Sequence, residues 1–297
     1  MISHLRTLAM ISAFVLGYFC PWASRFSGAV RWFIVVMMFL VMLQVRFSLR
    51  SLRIQHLYLL LANLGVGLGA WGIFLLAGNR ELAEAAFFTG ITPTATAAPV
   101  IVNLLGERVD YAVSGFLVTN IGMALLFPFL IPLAIGNPAP TVFHDVIGSL
   151  LIVVGIPLAA AIPLRLCYRK CAEIPKKLKN FSFFLWVITI FLIIGNASAF
   201  LRSQQHLDTG ILWRIALLSL LLCILNFSLG RFLAPRRYRR ETSQVLGQKN
   251  TTLTIYLALT YANPLVALGP TFYVLWHNGW NTIQLHLYSR RERCRRR

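Results

Sequence analysis

Thr92, Thr94 and Thr96 alternate with small residues and prolines inside an apolar stretch, Phe87-Phe88-Thr89-Gly90-Ile91-Thr92-Pro93-Thr94-Ala95-Thr96-Ala97-Ala98-Pro99, that continues to Asn103. Proline removes a backbone donor and clashes with the preceding turn. In hydrocarbon the polar groups freed by such a break must be satisfied by protein, water or a ligand. The hydroxyls can cap those carbonyls. They can also donate to a carboxylate, helped by the positive end of a half-helix starting beside them. A second stretch, Thr251 to Pro264, ends in Thr260-Tyr261-Ala262-Asn263-Pro264 and offers the same two chemistries. Between them lie Ser114, Thr119 and Asn120, and earlier Asn63. An amide in lipid without a partner is costly, so these are either polar contacts between helices or ligands. His277, Asn281 and Gln284 recur at i, i+4 and i+7 and share one helix face, expected to point into a bundle.

All of this is recognition chemistry rather than bond-breaking chemistry. The sequence contains no His-Glu-x-x-His metal motif and no Gly-Lys-Ser/Thr phosphate loop. Five cysteines are scattered, and Cys167 and Cys171 have only basic neighbours. No nucleophile with a matched base stands out. An enzyme is not expected, no catalytic or metal-ligating residue is assigned, and an ATP-driven pump would need a separate subunit.

The elements that position these residues follow from composition. The 297 residues are 58% hydrophobic and 12% charged, with mean hydropathy +0.70, against about 25% charged in soluble domains. Runs able to cross about 30 Å of hydrocarbon are Leu8–Cys20, Gly28–Phe47, His56–Ala77, an interrupted Glu84–Leu105, Val109–Gly136, Val146–Leu166, Phe181–Leu201, Ile211–Ala234, an interrupted Thr251–Leu268 and Pro270–Tyr288. Charge tests the count. With a cytoplasmic N-terminus, ten spans put 23 of the 28 Lys and Arg inside, in Arg6, Arg46–Arg53, Arg108, Arg165–Lys179, Arg231–Arg240, Lys249 and Arg290–Arg297. Arg25, Arg31, Arg80, Arg202 and Arg214 remain outside. This asymmetry is the positive-inside pattern, and it places both termini in the cytoplasm of a cell (inner) membrane. The first run also has the shape of a signal peptide, but Pro21-Trp22-Ala23-Ser24-Arg25 is a poor cleavage site. The net charge of +19 therefore reads as a topology signal, and the basic tail as a contact to membrane lipids. A nucleic-acid partner is not expected. Gly65, Gly67 and Gly69 favour close helix approach in the third span.

The interrupted spans are the fourth of the first five and the fourth of the second five. A repeat of an odd number of spans must be inverted across the membrane. Paired Gly/Pro-interrupted spans in corresponding positions point to a secondary-transporter site near the midplane. The expected fold is all-α and polytopic, with inverted repeats over 1–136 and 137–297 and discontinuous fourth and ninth helices.

With those segments placed, the chain resembles the bile acid:sodium symporter family. The residues that carry the likeness are Thr94-Ala95-Thr96-Ala97-Ala98-Pro99, the turn Leu105-Gly106-Glu107-Arg108, the late Pro128, and Asn263-Pro264-Leu265-Val266-Ala267. The resemblance implies a panel of helices 1, 2, 6 and 7 and a core of helices 3–5 and 8–10, interleaved in sequence, with helices 4 and 9 crossing at their breaks. It also implies alternating access with a small or amphipathic organic anion near the crossing. Thr92, Thr94, Thr96, Asn120, Thr260, Tyr261 and Asn263 are the candidate substrate residues. Asn63, Ser114, Thr119 and Tyr256 are the candidate ligands for sodium, the one cofactor the family suggests. The chain departs from sodium-coupled members in two places. Ala97, Ala98 and Pro99 stand where those members carry an Asn or Ser, and Tyr256 stands where they carry a Glu. No carboxylate is placed deep in a span, so sodium would rely on dipoles alone, and coupling to it is not expected. The cysteine of the arsenite-exporting branch is also missing from the fourth-span break. A receptor or lipid-binding protein on the same fold, or an uncoupled facilitator, are the other readings. The oligomeric state is left open.

Overall fold

The computed structural model describes residues 2–43, 51–137, 139–168, 171, 173–203 and 210–295. Arg46, Arg50, Arg169, Lys170, Arg296, Arg297 and the end of the Gly28–Phe47 run, all used in the topology count, lie outside the described residues. The described residues form α-helices and short turns. Helix α1 (Ile2–Phe19) stops where Cys20-Pro21 leads into a 3-10 turn, Pro21–Phe26. Then follow α2 (Ser27–Met42), α3 (Ile54–Leu76), α4 (Arg80–Gly90), α5 (Ala97–Leu104) and α6 (Val109–Ala134). The second half holds α7 (Pro140–Leu150), a π turn (Leu151–Gly155), α8 (Ile156–Cys167), α9 (Ile174–Lys177), α10 (Lys179–Ser203), α11 (Gly210–Phe232), α12 (Arg239–Gly247), α13 (Thr251–Tyr261) and α14 (Pro264–Arg295).

Among the described residues, six stretches are long and apolar enough to cross a membrane: Pro21–Leu40, Ile54–Leu76, Val109–Ala134, Pro140–Cys167, Asn180–Phe200 and Gly210–Phe232. The π turn lets α7 and α8 run on past Pro157, whose missing donor would otherwise interrupt the ladder. Gly78, at φ +74°, turns the chain from α3 to α4, and Asn79 caps α4 by accepting from Leu82 N at 3.0 Å.

The chain divides into two compact units, each built from three separate stretches. One comprises Met1–Val45, Pro128–Leu212 and Ile255–Leu268; the other comprises Arg46–Phe127, Trp213–Thr254 and Gly269–Arg297. In the first, α1 and the 3-10 turn after it pack closely on α10: a Cβ on Gly17 would lie 2.8 Å from Phe191 O, and one on Gly195 would lie 2.7 Å from the Ala23 Cβ of the turn. In the second, α3 and α4 cross at a glycine pair. A Cβ on Gly67 would lie 2.8 Å from both Ile91 N and Ile91 Cβ, and one on Gly90 would lie 2.8 Å from Gly67 Cα. Gly65 and Gly69 have open space where a Cβ would go, so only Gly67 fulfils the close-approach expectation. Gly67→Val is therefore expected to destabilise the protein by about 1–3 kcal/mol through overpacking against backbone that cannot retreat. Gly65→Val should be near neutral, and thermal unfolding in detergent distinguishes the two.

Two boundaries in the second half differ from those read in the sequence. The helix expected to begin at Pro270 begins at Pro264 and runs through Pro270 without interruption. A gap that hydropathy does not reveal opens at Gln248–Asn250, between α12 and α13. The interruption expected at Asn263-Pro264 is present: α13 stops at Tyr261, Ala262 and Asn263 are non-helical, and Pro264 starts α14. Asn263 Oδ1 accepts from Val266 N at 3.0 Å, and Pro264 occupies the first helical position, where its missing donor costs nothing.

Candidate functional site

The fourth-span break lies where α4 stops at Gly90 and α5 begins at Ala97. Its partner in the same unit is the Gln248–Asn250 gap. The two non-helical segments run antiparallel: Ala95 N donates to Gln248 O at 2.8 Å, and Asn250 N donates to Pro93 O at 2.7 Å. These bonds form an isolated bridge between Thr94 and Lys249. Each broken helix thus supplies the other with the backbone partners that its own prolines or unwound residues withhold. Both first half-helices close on a glycine, Gly90 and Gly247.

Side chains complete the crossing. Thr92 Oγ1 donates back to Phe88 O at 2.6 Å and lies 2.8 Å from Thr254 Oγ1. Thr94 Oγ1 donates to Val245 O at 2.6 Å and accepts from Thr119 Oγ1 at 2.8 Å. Asn120 Nδ2 donates to Thr94 O at 2.8 Å. Asn63 Nδ2 donates to Ile91 O at 2.8 Å, and Asn63 Oδ1 accepts from Lys249 Nζ. The same ammonium reaches Gly90 O at 3.2 Å. Lys249 is 2% exposed and Thr92 is 0% exposed, so this crossing is sealed by protein.

Helix α12 explains how such a polar segment can be buried. Residues Glu241 to Gly247 are all buried, although the helix reads Arg-Arg-Glu-Thr-Ser-Gln-Val-Leu-Gly. Ser243 Oγ donates to Phe227 O at 2.7 Å, and Thr242 Oγ1 donates back to Tyr238 O at 2.8 Å. Gln244 bonds Gln284, and Gln248 bonds Asn281, so the polar face of the last helix does point inward. Arg240 pairs with Glu107 at 2.6 Å, and the buried Glu241 lies 3.6 Å from Arg108. These pairs tie the start of α12 to the turn between α5 and α6.

The structure gathers Asn63, Thr92, Thr94, Thr119 and Asn120 at this crossing. Thr96 stands at the start of α5 without a side-chain capping bond. Ser114 pairs with Ser51 instead. Thr260, Tyr261 and Asn263 are expected at the fourth-span break; the segment bonded to that break within its unit is Gln248–Asn250. Thr260 and Tyr261 line a cavity of about 570 Å³ in the other unit, together with Ser149, His144 and Asp145. There Tyr261 Oη lies 2.6 Å from Ser149 Oγ, and Tyr256 Oη donates to Ser149 Oγ at 3.3 Å. The Arg31 guanidinium sits 5.9 Å from the centre of the Tyr256 ring, and its Nε is buried with no hydrogen-bond partner among the described residues.

Lys249, Thr254, Ser149 and Arg31 are the residues that sequence reasoning missed. The charge count places Lys249 on the cytoplasmic side and Arg31 outside, so neither stands out as a site residue. The available signal for Lys249 was the recurrence of a half-helix-closing glycine before an irregular polar segment.

The family model for the sodium bile acid symporters matches residues 32–204, from within α2 through the end of α10. That is more than half of the chain. The match includes the first break and ends before the helices that carry the second. No curated protein sequence matches the chain. With its apolar helices the protein is an integral membrane protein, and the chain belongs to the sodium bile acid symporter family.

Proposed function

We propose that the protein is a secondary transporter that carries a small or amphipathic organic anion by alternating access. The observation that supports this most strongly is the antiparallel pairing of two helix breaks within one unit. Discontinuous helices of this kind build the substrate and ion sites of secondary transporters. The ten-span inverted repeat is part of the proposal. Its spans are α1, α2, α3, α4 with α5, α6, α7 with α8, α10, α11, α12 with α13, and α14. This numbering keeps a break in the fourth span of each five. The uneven distribution of Lys and Arg supports cytoplasmic termini in a cell (inner) membrane, with the basic tail against anionic lipids.

The anion is assigned to the cavity lined by Ser149, Thr260 and Tyr261; Arg31 is not in its lining but lies 5.9 Å from the centre of the Tyr256 ring, whose hydroxyl bonds the cavity residue Ser149. The cavity's volume is in the range that takes small organic ligands. It combines the apolar Ile135, Val142 and Ile152 with the hydroxyls of Ser149, Thr260 and Tyr261. Arg31 is half-buried, which strengthens its field, whereas Asp145 is exposed and screened. Thr92, Thr94 and Asn120 are consumed by internal bonds and are assigned to holding the crossing rather than to the anion.

The test is counterflow in proteoliposomes preloaded with candidate anions, from short carboxylates to bile acids. Saturable counterflow with at least one of them is expected. Binding without counterflow would instead favour a receptor on the same fold.

A further inference from the structure

A lysine ammonium buried in a protein needs compensation, because removing a charge from water costs several kcal/mol. Lys249 has no carboxylate partner among the described residues; its acceptors are the neutral Asn63 Oδ1 and Gly90 O. Both are aimed at it by the fold. Gly90 is the last residue of α4, so its carbonyl belongs to the partially negative end of a half-helix. Asn63 is oriented by the bond from its own amide to Ile91 O, which leaves Oδ1 facing the ammonium. A side-chain amide oxygen and the carbonyl end of a broken helix are what such transporters offer a coupling cation, and hard cations take oxygen ligands of this type.

We propose that the Lys249 ammonium is a resident, covalently tethered cation that fills a monovalent-cation position where the two breaks cross. The crossing is then held together without free sodium, and a sodium gradient has no site through which to drive the cycle. Removing the side chain should vacate a position for a small monovalent cation. The inference rests on the geometry of the crossing. Its readout is ion-dependent stability, so it can fail independently of the organic-anion reading, which is tested by flux.

The experiment is thermal unfolding of the full-length protein in detergent at matched ionic strength, in sodium, choline or methylammonium chloride. Wild type should melt at the same temperature in sodium and choline. Lys249→Ala should melt lower in choline and recover by several degrees in sodium or methylammonium, because a ligand that binds only the folded state stabilises it by mass action. Lys249→Met, which fills the space with no charge, should melt low in all three. Sodium stabilisation of wild type over choline would overturn the inference. So would a folded Lys249→Ala protein indifferent to the cation, or one that yields folded protein in none of the salts.

Discussion

Asn63→Leu is expected to destabilise the protein by about 1.5–3 kcal/mol, the range for a lost hydrogen bond to a charged group, because Lys249 then keeps only Gly90 O as an acceptor among the described residues. Asn63 holds two parts of the crossing at once. Its amide donates to Ile91 O, the first carbonyl past α4, and its oxygen receives Lys249. Leucine fills a similar volume, so packing changes little and the polar terms dominate. Lys249→Met removes the charge itself and should cost less. The double substitution Asn63→Leu/Lys249→Met should be more stable than the sum of the single effects implies, with a coupling of about 0.5–3 kcal/mol. Equilibrium unfolding of the four proteins in detergent measures this. Strict additivity would mean that the two side chains do not act as a pair.

The second large effect concerns the anion. Arg31→Ala should raise the KM for the transported anion by about 10- to 100-fold, corresponding to the loss of about 1.5–3 kcal/mol from hydrogen bonds to a charged group. Arg31→Lys keeps the charge but loses the planar fork, and should fall between wild type and alanine. Tyr261→Phe, which deletes the hydroxyl bonded to Ser149, should have a smaller effect in the same direction. Initial rates of uptake across an anion concentration series separate KM from the maximal rate. An unchanged KM in Arg31→Ala would move the anion away from this cavity.

Much of the framework was legible in the sequence because lipid imposes simple rules. Long apolar runs mark α3, α6 and α11, and proline marks the end of α1 and the gap between α4 and α5. The threonine-rich segment at Thr92–Thr96 was visible as a break for the same reason. The second break was not, because hydropathy treats every lysine as though it faced solvent or lipid. Gln248-Lys249-Asn250 faces neither. It bonds Asn63, Gly90, Pro93, Ala95 and Asn281, partners up to 186 residues distant in sequence, and Gln248 Oε1 alone of its side-chain atoms is buried without a partner among the described residues. Asn263-Pro264 was legible as an interruption, and the chain does leave the helix between Tyr261 and Pro264, but an asparagine followed by a proline is also a favourable way to begin a helix, so the pair does not say which break is met by a partner segment. Tertiary partners decide between these cases, and they are not local.

Tyr256, which the family resemblance aligns with a sodium ligand, bonds Ser149. Asn63, the sodium candidate that does reach the crossing, is occupied by Lys249. On the proposal that Lys249 fills the cation position, the break needs no acid.

The most direct measurement is uptake of the best counterflow anion into proteoliposomes containing the wild-type protein, with external sodium replaced completely by choline. Saturable uptake above protein-free vesicles, at the same rate in both media, is expected. Uptake that collapses without sodium would contradict that expectation.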